Sequence, residues 1–218
     1  MKTSLPAALR AFLMLVPTLG VATAHAVEKT WDGGAGTANW HDAANWSPDG
    51  IPAEDDTVAI GAAFTEVVYS GTAGDRTIRS LSCDTVLRVT GGTLRVSEGG
   101  AIAGRLTMTS GTLVAGIVDG AELVLSGKEH SVASGTLAGV GLRVAPLASL
   151  SLASSTISLA LVNDGAVTMS GSQSCTLGAG GSVVNRGEWT MSAANGQNLQ
   201  LSGNCTTSAP VSFANEGV

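Results

Sequence analysis

The stretch GKEHS sets Lys128, Glu129 and His130 side by side, and His130 is the only histidine beyond residue 41. An amine, a carboxylate and an imidazole are the parts of a proton-transfer site. To act as one they would have to converge with a carboxylate carried in by a neighbouring element. The available charges are scattered: Asp84, Glu98, Asp119, Glu122 and Asp164, interleaved with Arg88, Arg95, Arg105 and Arg143. Without convergence the strip is a solvated bend.

A second set of candidates lies in TWDGGAGTANWHDAANWSPDGIPAEDD, Thr30 to Asp56. Asp32, Asp42, Asp49, Glu54, Asp55 and Asp56 could gather oxygen ligands for weak Ca2+ binding. Their spacing fits neither the EF-hand nor the glycine-rich nonapeptide loop. The competing expectation is a solvated acidic surface, with Asp32 and Asp56 making turn hydrogen bonds. Trp31, Trp40 and Trp46 occupy the same stretch, three of the four tryptophans in a chain that is 4% aromatic. Exposed, they would stack on sugar rings; buried, they would plug the end of something longer.

The cysteines offer little chemistry. Cys83, Cys175 and Cys205 show no C-x-x-C spacing, so either one disulfide forms and one thiol is left over, or all are small buried hydrophobes. The chain has no nucleophile elbow, no H-E-x-x-H and no phosphate-binding glycine loop. No catalytic residue, metal ligand or cofactor-binding residue is therefore assigned.

These groups must be positioned by strands. Gly, Ser, Thr and Val are poor helix formers and leave few long stretches free of them, while a 44% hydrophobic content is too high for disorder. Residues 1–26 read separately: Lys2 and Arg10, an apolar core interrupted by Pro17, then AHA ending at Ala26. That order predicts a secretory signal peptide, with the mature chain starting at Val27 outside the cytoplasm. A retained membrane anchor is the alternative, disfavoured by the short apolar run. Losing Lys2 and Arg10 takes the net charge from −6 to −8, which disfavours nucleic acid and anionic membranes as partners.

From Thr57 onward, short alternating segments such as TVLRV, TLRV and ELVL are broken by glycine, the pattern of strands and turns. Leu147, Leu150 and Leu152 belong to the same alternation. The segments also repeat. GGTLRV, SGTLVA and SGTLAG carry Gly-Thr-Leu steps, and VNDGAVTMSG aligns without gaps on VNRGEWTMSA, 22 residues on. ANEGV at 214–218 starts the pattern again. A soft period of about twenty residues predicts an all-β, single-stranded parallel β-helix (a β-solenoid), right-handed, of about eight coils over residues 57–218. Asn163, Asn185 and Asn215, each two residues before a glycine, are expected at corners with left-handed backbone. A β-sandwich is the rival, but it does not call for gapless internal repeats.

A solenoid needs its first coil covered, and residues 27–56 stand where the cover must be. Here the sequence resembles a known class. Trp31, Gly33, Gly34, Gly36, Trp40, Asn45, Trp46, Pro52 and Asp56 match the W-x-G-G-x-G…W…N-W…P…D segment that opens many secreted bacterial β-helix repeat proteins, autotransporter-passenger-like and adhesin-like. The resemblance covers about thirty residues. It implies a structural cap at those positions and extracellular or cell-surface display, with cell-surface or matrix carbohydrate or protein as partner. It implies no particular ligand. A complete autotransporter ends in a membrane barrel that these residues could not form, so the chain reads as the amino-terminal part of a longer protein or a truncated frame. The resulting expectation is a non-catalytic structural or adhesin-like module. The rivals are a polysaccharide-active β-helix enzyme and a non-functional fragment.

Overall fold

A computed structural model describes residues 26–71, 74–170, 174–192, 200–203 and 211–216. The fold is all-β, and its stacked parallel strands form a β-solenoid of about 6 turns. Residues 1–25, nearly all of the segment expected to be a signal peptide, and Cys205 lie outside the described residues.

The chain winds through three faces. On the first, Thr57–Ile60, Ser80–Cys83, Gly99–Ile102 and Glu122–Leu125 pair in parallel, one above the next. Glu66–Tyr69, Val86–Val89 and Arg105–Met108 stack likewise on the second. Arg76–Ile78, Thr93–Val96 and Thr112–Ala115 make the third. Above them His130–Val144 and Ser149–Asn163 each run unbroken around all three faces. The last rungs are Ala166–Ser170 and Glu188–Ser192 on the second face, Ser174–Leu177 and Gln200–Gly203 on the third, and Ser182–Asn185 and Ser212–Asn215 on the first.

Alternation decides which side chains enter the core. Leu94, Leu113, Leu137, Ile157 and Leu177 form one buried column, rung over rung, because successive strands stack in register. A single rung could not bury its inward side chains; the column is a property of the stack. The Gly-Thr-Leu steps of the sequence are these stacked positions: Thr93 lies against Thr112 and Thr112 against Thr136.

Three expectations need correction. The turns number about 6 where eight coils were expected, and their spacing is uneven: 22 residues separate Asn163 from Asn185, but 30 separate Asn185 from Asn215. The asparagines do not adopt left-handed backbone; among the described non-glycine residues only Glu129 and Leu147 do so. Asn163 and Asn185 are buried instead, and their amides form a ladder, Asn163 Nδ2 donating to Asn185 Oδ1 (2.6 Å) and Asn185 Nδ2 to Asn215 Oδ1 (2.7 Å). The glycine two residues on is needed for closeness, since a Cβ at Gly187 would meet the Gly165 carbonyl oxygen at 2.1 Å.

The third correction is Leu147. It is 89% exposed, at φ 70°, in the turn closed by Ala148 N–H donating to the Ala145 carbonyl (3.0 Å). Leu150 and Leu152 carry the inward alternation without it. A leucine in left-handed backbone costs about 1–2 kcal/mol, and asparagine tolerates that region better. Leu147→Asn should therefore raise stability by about 1 kcal/mol, a gain of roughly 2–4 °C in Tm for a domain of this size. A thermal melt that is unmoved or lowered contradicts this account of the turn.

The tryptophan cap and the outward charges

The first strand, Glu28–Trp31, is the lowest rung of the first face, parallel to Thr57–Ile60. Its outer edge is covered by Trp46–Ser47 running antiparallel to it. The second face is covered by Ala38–Trp40, here through a parallel bridge between Asn39 and Val68. Trp40 N–H donates to the Val68 carbonyl (2.9 Å), and Val68 N–H donates to Ala38 (2.7 Å). Residues 27–47 thus satisfy edge groups that would otherwise face solvent or another chain.

The indoles fill the end of the core. Trp40 and Trp46 are fully buried and Trp31 is 3% exposed, so none offers a free face to a sugar. Trp46 packs edge-on against both Trp31 (4.9 Å) and Trp40 (4.8 Å), and its Nε1 donates to the Trp40 carbonyl (2.8 Å). Tyr69 and Phe64 complete the plug, at 5.7 Å from Trp40 and 6.4 Å from Trp31. Sequence reading missed both. Tyr69 is the chain's single tyrosine, placed at an inward position of EVVYSG, and that was the available signal. Its hydroxyl donates to the Thr93 carbonyl (2.7 Å), and burial pushes its pKa up to about 12.

The other motif residues shape the loop that carries the indoles. Gly33 and Gly36 have φ of 67° and 69°, and a Cβ at Gly34 would meet the Ala44 carbonyl oxygen at 2.4 Å. Asn45 is fully buried; its Oδ1 accepts from Ala35 N–H (3.0 Å) and its Nδ2 donates to the Thr37 and Asn39 carbonyls (3.1 and 3.0 Å). Pro52 is buried where the loop turns toward the first coil. Asp56 accepts from Ala53 N–H (2.9 Å) and Val27 N–H (3.2 Å), and Asp32 accepts from Gly34 N–H (2.9 Å). Among the described residues no group of three or more His, Cys, Asp or Glu side chains is disposed to hold a metal ion.

On the body, scattered charges become ordered ones. Parallel stacking brings each outward side chain over a residue about one coil away, and here opposite signs meet. Arg88 pairs with Glu66 (2.7 Å), Arg95 with Asp75 (3.1 Å) and Arg79 with Glu98 (3.6 Å). The Arg95 guanidinium holds the Asp75 carboxyl below its usual range. The longest series climbs the first face: Glu122, Arg143, Asp164, Arg186, Glu216, with Arg143 bonded to both Glu122 (2.8 Å) and Asp164 (2.6 Å). Such half-exposed pairs are each worth about 0–1 kcal/mol and serve register more than stability.

The GKEHS strip does not converge. Lys128 and Glu129 are exposed, Glu129 lying 3.5 Å from Arg105, while His130 points inward and is fully buried. Its Nδ1 accepts the Leu106 N–H (2.9 Å), and burial lowers its pKa to about 4. Cys83 and Cys175 are free, buried thiols; burial raises both, Cys83 to about 11. No family model, curated protein or solved structure matches the chain.

Proposed function

We propose that this chain is a secreted, non-catalytic structural module of adhesin-like type, displayed outside a bacterial cell by a capped β-solenoid. One observation carries the reading. The groups that could do acid-base chemistry are consumed by the architecture: the body's histidine lies in the core, and Arg79, Arg88, Arg95, Arg105, Arg143 and Arg186 each face a carboxylate of an adjacent rung. A polysaccharide-cleaving site needs those groups turned together onto one substrate. The amino-terminal resemblance supports export and surface display in the same direction. Partners would be carbohydrate or protein of a cell surface or matrix, met by the long outward faces.

The test is a panel of acidic polysaccharides incubated with the exported protein, followed by assay for reducing and unsaturated ends. No release above blank is expected. Robust turnover lost in Glu129→Gln, with the melting curve kept, would establish the enzyme reading instead. His130→Ala is the wrong probe, because a fully buried side chain that accepts a backbone hydrogen bond reports on folding. Amino-terminal sequencing of the same material should begin at Val27; retained Met1 would contradict export by a cleaved signal.

A further inference from the structure

The third face turns a regular array outward. Thr93, Thr112, Thr136, Thr156 and Thr176 lie in register, rung over rung, as one column. Each is half-buried, while the Leu or Ile that follows it enters the core. Two residues before the upper four stand Ser110, Ser134, Ser154 and Ser174, all exposed. S-x-T therefore recurs rung by rung as SGT, SGT, SST and SCT. Two residues after the threonines, Val114, Ala138 and Ser158 make a further column in the same register.

Charge is kept off this area. Arg95 and Asp75 pair at its lower end (3.1 Å), and above them no outward residue of the described third-face strands is charged or aromatic. The other faces differ. The first carries the series from Glu122 to Glu216. The second has a hydroxyl column of its own, Thr107, Ser131, Ser151 and Thr168, but the Arg105–Glu129 pair borders it. With neither charge nor ring, the third face suits neither an ionic ligand nor a stacked sugar.

What it offers is a lattice. Parallel stacking sets successive threonines about 4.8 Å apart, and same-side residues along a strand lie about 6.7 Å apart. Those spacings are close to the two oxygen repeats on a prism face of ordinary ice. The branched Cβ of threonine restricts its rotamers, so hydroxyl and methyl are held alike on each rung. A hydroxyl donates and accepts, and can hold water on either side. The methyls beside it order water without binding it, whereas a charge would turn water about itself and break the repeat.

We propose that the third face, from Thr112 to Thr176, is an ice-binding surface. Its ligand is the ordered water of a growing ice face, held by the threonine column and the serines beside it. The backbone stack fixes the array before contact, so little ordering remains to be done on binding. The surface needs only the solenoid, and is therefore independent of the adhesin-like reading.

The experiment holds a single ice crystal in a solution of the exported protein and reads its shape and the gap between its melting and growth temperatures. Faceted growth and a gap that widens with protein concentration are expected. Thr136→Lys, which sets a charge at the centre of the array, should abolish the gap. Thr156→Lys should do the same, so that poor folding of one variant leaves the other, and melting curves identify the folded protein. Ser151→Lys, an exposed change on the second face, should keep the gap of the unaltered chain. Rounded growth with no gap in the unaltered protein would overturn the proposal. So would a gap that survives both threonine variants, or one lost equally in Ser151→Lys. A concentration-dependent dimer dissolved by Thr136→Lys, in protein without effect on ice, would also overturn it and assign the face to a second copy.

Discussion

Trp40→Ala is expected to cost about 3–5 kcal/mol, because it empties a fully buried indole site from a plug with no means of collapsing. A tryptophan buries roughly 150–250 Å² of surface, and this one lies against Trp46 and Tyr69 at 4.8 and 5.7 Å. The loss is local before it is global. Contacts in a solenoid are between neighbouring rungs, so the first coils should fray while later ones hold. Amide exchange should quicken over Thr57 to Cys83 and change little near Asn185. The melting temperature should fall in the same variant. If Trp40→Ala and Trp46→Ala both leave the melt unmoved, the cap does not seal the rod, and a ligand role for the indoles returns.

Acid should weaken the fold through His130. The folded state keeps this ring neutral down to about 4, while the unfolded chain protonates it near 6.5. Below 6.5 the unfolded state therefore binds the extra proton, so stability falls as the pH drops, and goes on falling until the folded-state value is reached. The difference corresponds to about 3 kcal/mol lost between pH 7 and pH 4. The structural cause is specific: Nδ1 must keep its lone pair to accept the Leu106 N–H, and the ring is fully buried. His130→Asn retains a short acceptor and removes the titration. Denaturant unfolding at pH 7 and pH 4 should show the wild-type loss shrinking by about 3 kcal/mol in that variant. An undiminished acid loss in His130→Asn would assign the sensitivity to other groups.

The repeat was legible in the sequence because, in a solenoid, residues one period apart are also neighbours in space. VNDGAVTMSG over VNRGEWTMSA became a stacked pair, with Val167 against Trp189 and Met169 against Met191. Alternation within each segment named most of the core in advance, since a strand's two sides are fixed by its pleat. Neither signal says where a corner falls. Leu147 fits the alternation on paper yet lies exposed in a turn, and His130 reads as part of a charged bend yet begins a strand on its inward side. Corner position depends on how each rung settles on the one beneath it, and the rungs here differ in length by several residues. The same stacking chose the ion-pair partners: Glu122, Arg143, Asp164, Arg186 and Glu216 lie far apart along the chain and form one series only once the coils are superposed. Composition and period determined that this chain winds into stacked strands behind a tryptophan plug. The register between coils, which is a property of the packed stack, decided which charges are spent and which histidine is buried.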